Sequence, residues 1–244
     1  MSQMNLETLR QNIASVRARI DAACAAAGRN ADEVRLLPVS KTHPPEVLRL
    51  AYQAGLDAFG ENKVQEAREK AEALADLPLR WSVIGHLQSN KAKYVARFAH
   101  EFQALDSLEI AQALDKRLQI EGRALDVLVQ INTSDEPQKF GMPPEAARDF
   151  LRQMPAFSSL RIKGLMTLAI FDADENRVRA CFVRLRQLRD QLRQTLPDGI
   201  GLDELSMGMS GDFPIAIEEG ATIVRVGQAI FGARPTPNNH YWPG

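Results

Sequence analysis

The feature that most constrains this chain is a regular alternation of short β-rich runs with stretches of helical periodicity. Strand-like runs occur at 34–40 (VRLLPVS), 56–62 (LDAFGEN), 80–85 (RWSVIG), 101–106 (EFQALD), 124–132 (ALDVLVQIN), 160–168 (LRIKGLMTL), 203–207 (DELSM) and 222–227 (TIVRVG). Between them lie segments such as PEVLRLAYQAG, KVQEAREKAEALAD and ENRVRACFVRLRQLRDQLRQTL, whose apolar residues recur at helical spacing. A helix between two strands returns the chain to the same sheet edge, so the strands pair in parallel. Eight is the number that closes a barrel, and 244 residues suit a single (β/α)8 barrel of the TIM type. The rival is an open doubly wound sheet. Its usual mark is a glycine-rich turn after the first strand, where this chain has SKTHPP. The expected fold is therefore α/β, with one barrel domain over 31–234. Leu6, Leu9, Ile13, Val16 and Ile20 predict a further helix within 1–30, an N-terminal extension packing on the barrel, and 235–244 form a Pro/Asn-rich C-terminal tail.

Charge narrows the partners. Thirty Lys+Arg against 31 Asp+Glu leave a net charge of −1, which provides no electrostatic footprint for nucleic acid or for an anionic membrane surface. The Arg-rich stretch RVRACFVRLRQLRDQLR is interrupted by apolar residues at helical spacing and reads as a solvated helix face. Cys24 and Cys181 are far apart, offer no metal spacing and suit a reducing, cytoplasmic setting. The first 29 residues carry charges throughout, unlike a signal peptide or a membrane span.

In a barrel the ligand site lies at the carboxyl ends of the strands. Polar and small residues converge there: Ser40-Lys41, Gly60-Glu61-Asn62, Gly85-His86, Asn132-Thr133, Met166-Thr167, Ser206-Met207-Gly208 and Arg225-Val226-Gly227. Two loops suit a phosphate. In LSMGMSGDFPIAIEEG (205–220), Gly208 and Gly211 flank Met209-Ser210, and a helix is expected to start near Asp212. In RVGQAIFGAR (225–234), Gly227 follows Arg225, and barrels often bind phosphate in the loops after strands seven and eight. A lysine across the mouth then points to a phosphorylated carbonyl compound, because a lysine amine condenses with carbonyls once its environment lowers its pKa. A sugar-phosphate aldolase and pyridoxal 5′-phosphate both fit. Arg225 bears on the choice. A guanidinium stays protonated, so it can donate to a neutral pyridine nitrogen but cannot stabilise a pyridinium, which restrains carbanion chemistry.

VSKTHP, FGENKVQE, WSVIGHLQSNKAKYV, NTSDEPQKFGM, GLMTL, LSMGMSGD and VRVGQAIFGAR, in order from about 34 to 234, closely resemble the motifs of the YggS/PROSC family of pyridoxal phosphate homeostasis proteins. The resemblance implies a barrel similar to the N-terminal domain of alanine racemase, with pyridoxal 5′-phosphate held as an internal aldimine on Lys41. It further implies Asn62 near the cofactor ring, Ser206, Ser210 and the backbone of Gly227 at the phosphate, and Arg225 at the pyridine nitrogen. Met166 and Met209 are carried over as ring-lining positions. The implied function is intracellular vitamin B6 homeostasis without robust catalysis, in a cytoplasmic monomer whose recipients are pyridoxal-phosphate-dependent apoenzymes. The alternative is an amino-acid racemase of alanine-racemase type. A racemase needs a second acid/base, and Tyr241 in the tail reads as part of a poorly ordered terminus rather than a catalytic arm. Among other residues, His43 reads as a cap for the following helix, and Lys91, Lys93 and Lys139 as solvated. His86 has no assigned role, Glu61 awaits a basic partner, and Phe59 and Trp81 read as core.

Overall fold

Every strand-like run of the sequence forms a strand in the computed structural model, which describes residues 4–196 and 200–232. The chain begins with α1 (Leu6–Ala26), capped by the Asn5 side chain accepting from the Thr8 N–H at 2.8 Å. Its buried positions, Leu9, Ile13, Val16, Ile20, Ala23 and Cys24, lie three or four apart on one face. That face packs against later helices, and Asn12 donates to the Ile230 carbonyl at 2.8 Å.

The repeating unit follows: β1 (Arg35–Pro38), α2 (Pro45–Gln53), β2 (Ala58–Glu61), α3 (Val64–Ala73), β3 (Arg80–Val83), α4 (Ala92–Phe98), β4 (Glu101–Leu105), α5 (Leu108–Glu121) and β5 (Leu125–Gln130). It continues through α6 (Ala147–Gln153), β6 (Leu160–Met166), α7 (Glu175–Arg193), β7 (Glu204–Ser206), α8 (Phe213–Glu218), β8 (Ile223–Val226) and α9 (Gln228–Phe231). All strand pairs are parallel, in the order β1-β8-β7-β6-β5-β4-β3-β2. The ring closes between β1 and β2 through a parallel bridge of Val39 with Gly60, where Ser40 N–H donates to the Gly60 carbonyl at 3.1 Å. The expected (β/α)8 barrel is the fold of this chain. The tail and Tyr241 lie outside the described residues.

The strands are shorter than the runs that announced them. The run at 124–132 keeps only Leu125–Gln130 as a strand, because Ile131 leaves to bridge Met142 in the loop beyond. Tilted barrel strands overlap their neighbours over few residues, and the ends become rim. Outside the barrel, α7 buries Val178, Cys181, Phe182, Leu185 and Leu192. Its arginines are paired more than the sequence suggests. Arg177 meets Asp172, Arg179 meets Glu218 and Glu219, Arg184 meets Asp135, and Arg186 meets Glu219. Phe59 and Trp81 are core residues, 0% and 5% exposed, with ring centroids 5.9 Å apart.

One contact sets the β6–β7 spacing. A Cβ on Gly164 would lie 1.9 Å from the Glu204 carbonyl oxygen. Gly164→Ala should therefore cost at least about 2 kcal/mol by overpacking, read as a lower urea midpoint at unchanged slope.

Candidate functional site

Lys41 emerges immediately beyond β1 with only 9% of its surface exposed. It sits in a tight turn closed by the His43 N–H donating to the Ser40 carbonyl at 3.1 Å. Around this turn lies a buried charge cluster. The Lys70 ammonium donates to the Ser40 carbonyl at 2.8 Å, to Glu61 Oε1 at 2.6 Å and to Glu66 Oε1 at 2.7 Å. Ser40 Oγ also donates to Glu61 Oε1 at 2.6 Å, and the Thr42 N–H donates to Glu66 Oε1 at 2.6 Å. Glu61 thus finds its basic partner in Lys70, nine residues on. Burial pushes the Glu61 carboxyl up to about 7, against the pull of Lys70 and with the nearby Glu66 carboxylate adding to the rise.

A second polar system runs through the barrel interior. Arg225 Nη1 donates to Ser206 Oγ at 2.7 Å, and Ser206 Oγ donates to Gln103 Oε1 at 2.6 Å. Gln103 Nε2 donates in turn to Glu101 Oε2 at 2.7 Å, which also receives Ser82 Oγ at 2.7 Å. Arg35 closes the chain on Glu101 Oε1 at 2.6 Å. Gln103 on β4 and Ser206 on β7 are not on neighbouring strands, so their bond must cross the barrel lumen. The other guanidinium arm, Nη2, donates to the Thr167 carbonyl at 2.7 Å. Burial pulls the Arg225 guanidinium down to about 10, opposed by the Asp212 carboxylate, so it stays cationic at neutral pH.

The remaining expected residues gather at the same end of the barrel. Asn62 follows β2, half-buried, and its carbonyl lies where a Cβ on Gly85 would come within 2.2 Å. Met166 ends β6, fully buried. Met209 and Ser210 follow β7, and α8 starts after Asp212 as expected, with the Met209 N–H donating to Asp212 Oδ1 at 2.5 Å. Ser210 Oγ accepts from the Ala229 N–H at 3.4 Å, linking the two glycine loops. Gly227 passes under Val39, whose carbonyl oxygen would stand 2.9 Å from any Cβ there. Arg225 pairs in register with Leu37 and so lies deeper than Lys41, four residues earlier along the seam. Ser206 is fully buried behind Arg225, its hydroxyl proton given to Gln103.

Two local expectations change. His43 is not the N-cap of α2: that helix starts at Pro45, its N-cap is Pro44 with no side-chain cap hydrogen bond, and the His43 ring packs on Phe231 at 5.1 Å. Lys139 is not solvated, since its ammonium donates to the Ala169 carbonyl at 3.0 Å and pairs with Glu136. His86 stacks on Phe140 at 4.0 Å, with Nδ1 at 3.6 Å from Asp106. Asn132 organises its own loop, donating to the Glu136 carbonyl at 2.9 Å. The functional residues that sequence reasoning missed are Lys70, Glu66, Gln103 and Glu101. Lys70 continues the buried face Val64, Ala67, Lys70, a charge on an apolar stripe that could have flagged it.

Residues 4–235 match the family model described as the alanine racemase N-terminal domain. A pyridoxal phosphate homeostasis protein of Pseudomonas aeruginosa is 45% identical over 232 residues, 94% of this chain and 97% of that protein. One from Aquifex aeolicus is 42% identical over 224 residues, 92% of this chain and 97% of its own. Among solved structures, PipY of Synechococcus elongatus with PLP bound superposes with a TM-score of 0.82 at 36% identity, over 92% of this chain and 100% of PipY.

The Glu61 carboxyl gives a measurable signature. Its folded-state value lies above the unfolded one of 4.5, so the folded protein binds the extra proton and loses stability as pH rises from about 4.5 through about 7. Relative to Glu61→Gln, wild type should show that decline, up to about 3 kcal/mol, in urea unfolding at stepped pH.

Proposed function

The chain belongs to the family of pyridoxal phosphate homeostasis proteins, built on the alanine racemase N-terminal domain, and from this we propose that it binds pyridoxal 5′-phosphate and serves vitamin B6 homeostasis. One observation carries the reading: the adjacent strands β1 and β8 deliver a buried lysine and a buried arginine toward the same end of the barrel. The residues present suit the cofactor. When bound, it supplies an aldehyde that condenses with a lysine amine. Lys41 is the amine in position to hold it. Arg225, oriented by Ser206 and the Thr167 carbonyl, donates toward a pyridine nitrogen and, as a cation, gives up no proton to it. Ser210 keeps its own hydroxyl hydrogen for an anion while accepting from Ala229, and Gly227 presents bare backbone beside it. Asn62, Met166 and Met209 line the ring. Ser206 can donate to the phosphate only by releasing Gln103, so Ser210 and Gly227 carry more of that role.

We further infer a carrier rather than a catalyst, because a neutral pyridine nitrogen withdraws few electrons and the relatives bear homeostasis names. Those names favour this reading over a racemase of alanine-racemase type. Its recipients would be pyridoxal-phosphate-dependent apoenzymes. Cys24 and Cys181 are both buried free thiols, which supports a reducing cytoplasm, and among the described residues no helix is long and apolar enough to cross a membrane. The exposed large apolar side chains, Leu108, Ile120, Phe140 and Phe171, lie on α5 and in two separate loops, which supports a monomer. We assign the cofactor barrel to 31–234, with 1–30 as its helical extension.

Borohydride reduction of the loaded protein should fix a phosphopyridoxyl mass on Lys41, and a label on another lysine, or none, refutes the assignment. Ser210→Ala should weaken retention of the cofactor by about 1–3 kcal/mol in equilibrium dialysis, the worth of one charge-assisted hydrogen bond. In deuterium oxide with single L-amino acids, α-proton exchange should stay far below enzyme-like turnover; sustained exchange would show a catalyst.

A further inference from the structure

Thr42 has φ +71°, a backbone region that a β-branched residue rarely enters. Its place explains the strain. In the turn Ser40–His43, Lys41 keeps a negative φ and Thr42 a positive one, the pattern of a type II turn, whose third position ordinarily takes glycine or asparagine. An unfavourable backbone conformation persists only where its surroundings over-determine it. Here they do so from both sides of Lys41. Before it, the Ser40 carbonyl accepts from Lys70 as well as from His43, and the Ser40 hydroxyl is tied to Glu61. After it, the Thr42 N–H is tied to Glu66. Lys70 joins Glu61 to Glu66, so one ammonium braces the turn from β2 and from α3 together. The cluster is otherwise costly: Glu61 Oε2 and Thr42 Oγ1 are buried without hydrogen-bond partners. A barrel rim needing only stability could dispense with such groups.

We propose that Lys70, Glu66 and Glu61 are positioning residues that hold Lys41 at the second position of a strained turn and thereby aim its amine into the barrel mouth. The inference rests on the reading of Lys41 as the covalent anchor. Releasing the Thr42 N–H lets Thr42 relax out of the left-handed region and swings Lys41 away. Glycine at 42 bears no such penalty, so it tolerates loss of the brace.

The test uses apoprotein, exposed separately to pyridoxal 5′-phosphate and to pyridoxal, quenched with borohydride at intervals and read by peptide mass spectrometry at Lys41. Glu66→Ala should slow labelling by about tenfold with both aldehydes, as expected if the competent turn falls to about a tenth of molecules. Thr42→Gly in the Glu66→Ala background should restore most of the rate, and Glu66→Gln, which keeps an acceptor oxygen, should stay within about twofold of wild type. Acetic anhydride labelling of Lys41 should not fall in Glu66→Ala, because the amine is misdirected rather than hidden. Wild-type labelling rates in Glu66→Ala, no restoration by Thr42→Gly, or a joint fall in both chemistries would overturn the brace. Absence of the adduct on Lys41 in wild type would instead overturn the anchor assignment on which the brace rests.

Discussion

The seam between β1 and β2 is the constraint on which the rest depends. Seven of the eight junctions pair named strands, the β7–β8 one through a single residue pair, whereas this one rests on the Val39–Gly60 bridge just beyond β1. Gly60 permits it, since a Cβ there would already press on Leu37 at 3.3 Å. The charge cluster lies at the same place, joining Ser40 beyond β1 to Glu61 at the end of β2 and to Lys70 and Glu66 on α3. Closing the barrel and orienting its lysine are therefore one structural event. Ion pairs of this kind contribute little net stability after desolvation, but breaking one partner leaves an uncompensated buried charge. Such a cluster is better suited to fixing geometry than to holding the fold together.

Across the lumen, the polar chain from Arg225 through Ser206 and Gln103 to Glu101 solves a different problem. A guanidinium buried at the centre of a barrel needs acceptors as well as the opposing Asp212 carboxylate, and the first of them, Ser206, passes its own proton on toward Glu101. Each intervening group donates downward, so the dipoles align from cation to carboxylate. Arg35 then balances Glu101 from the opposite end. The chain fixes which atoms of Ser206 are committed, and that decides how the site divides its work between Ser206 and Ser210.

Much of this was legible in the sequence, and the exceptions have physical reasons. The strand and helix alternation follows from local periodicity, so all eight strands and the start of α8 near Asp212 could be read directly. Strand ends could not, because Ile131 is removed from β5 by a bridge to Met142, a contact set by the loop. His43 reads as a helix cap, yet Pro44 is the N-cap of α2 and Phe231, nearly two hundred residues on, offers the ring a surface. Among the rim residues, Lys41, Arg225, Ser210 and Gly227 stood out by type and position. Gln103 and Glu101 did not, because an alternating polar residue on a strand ordinarily signals a wet face, and only closure turns that face inward.

Lys70 is a second lysine at the turn that carries Lys41. The Lys70 ammonium has three hydrogens and gives one to each of Ser40, Glu61 and Glu66. A nitrogen in that state has no lone pair to offer an incoming aldehyde. The brace therefore commits all three hydrogens of the Lys70 ammonium to structure, which makes it a strut of the mouth rather than a nucleophile.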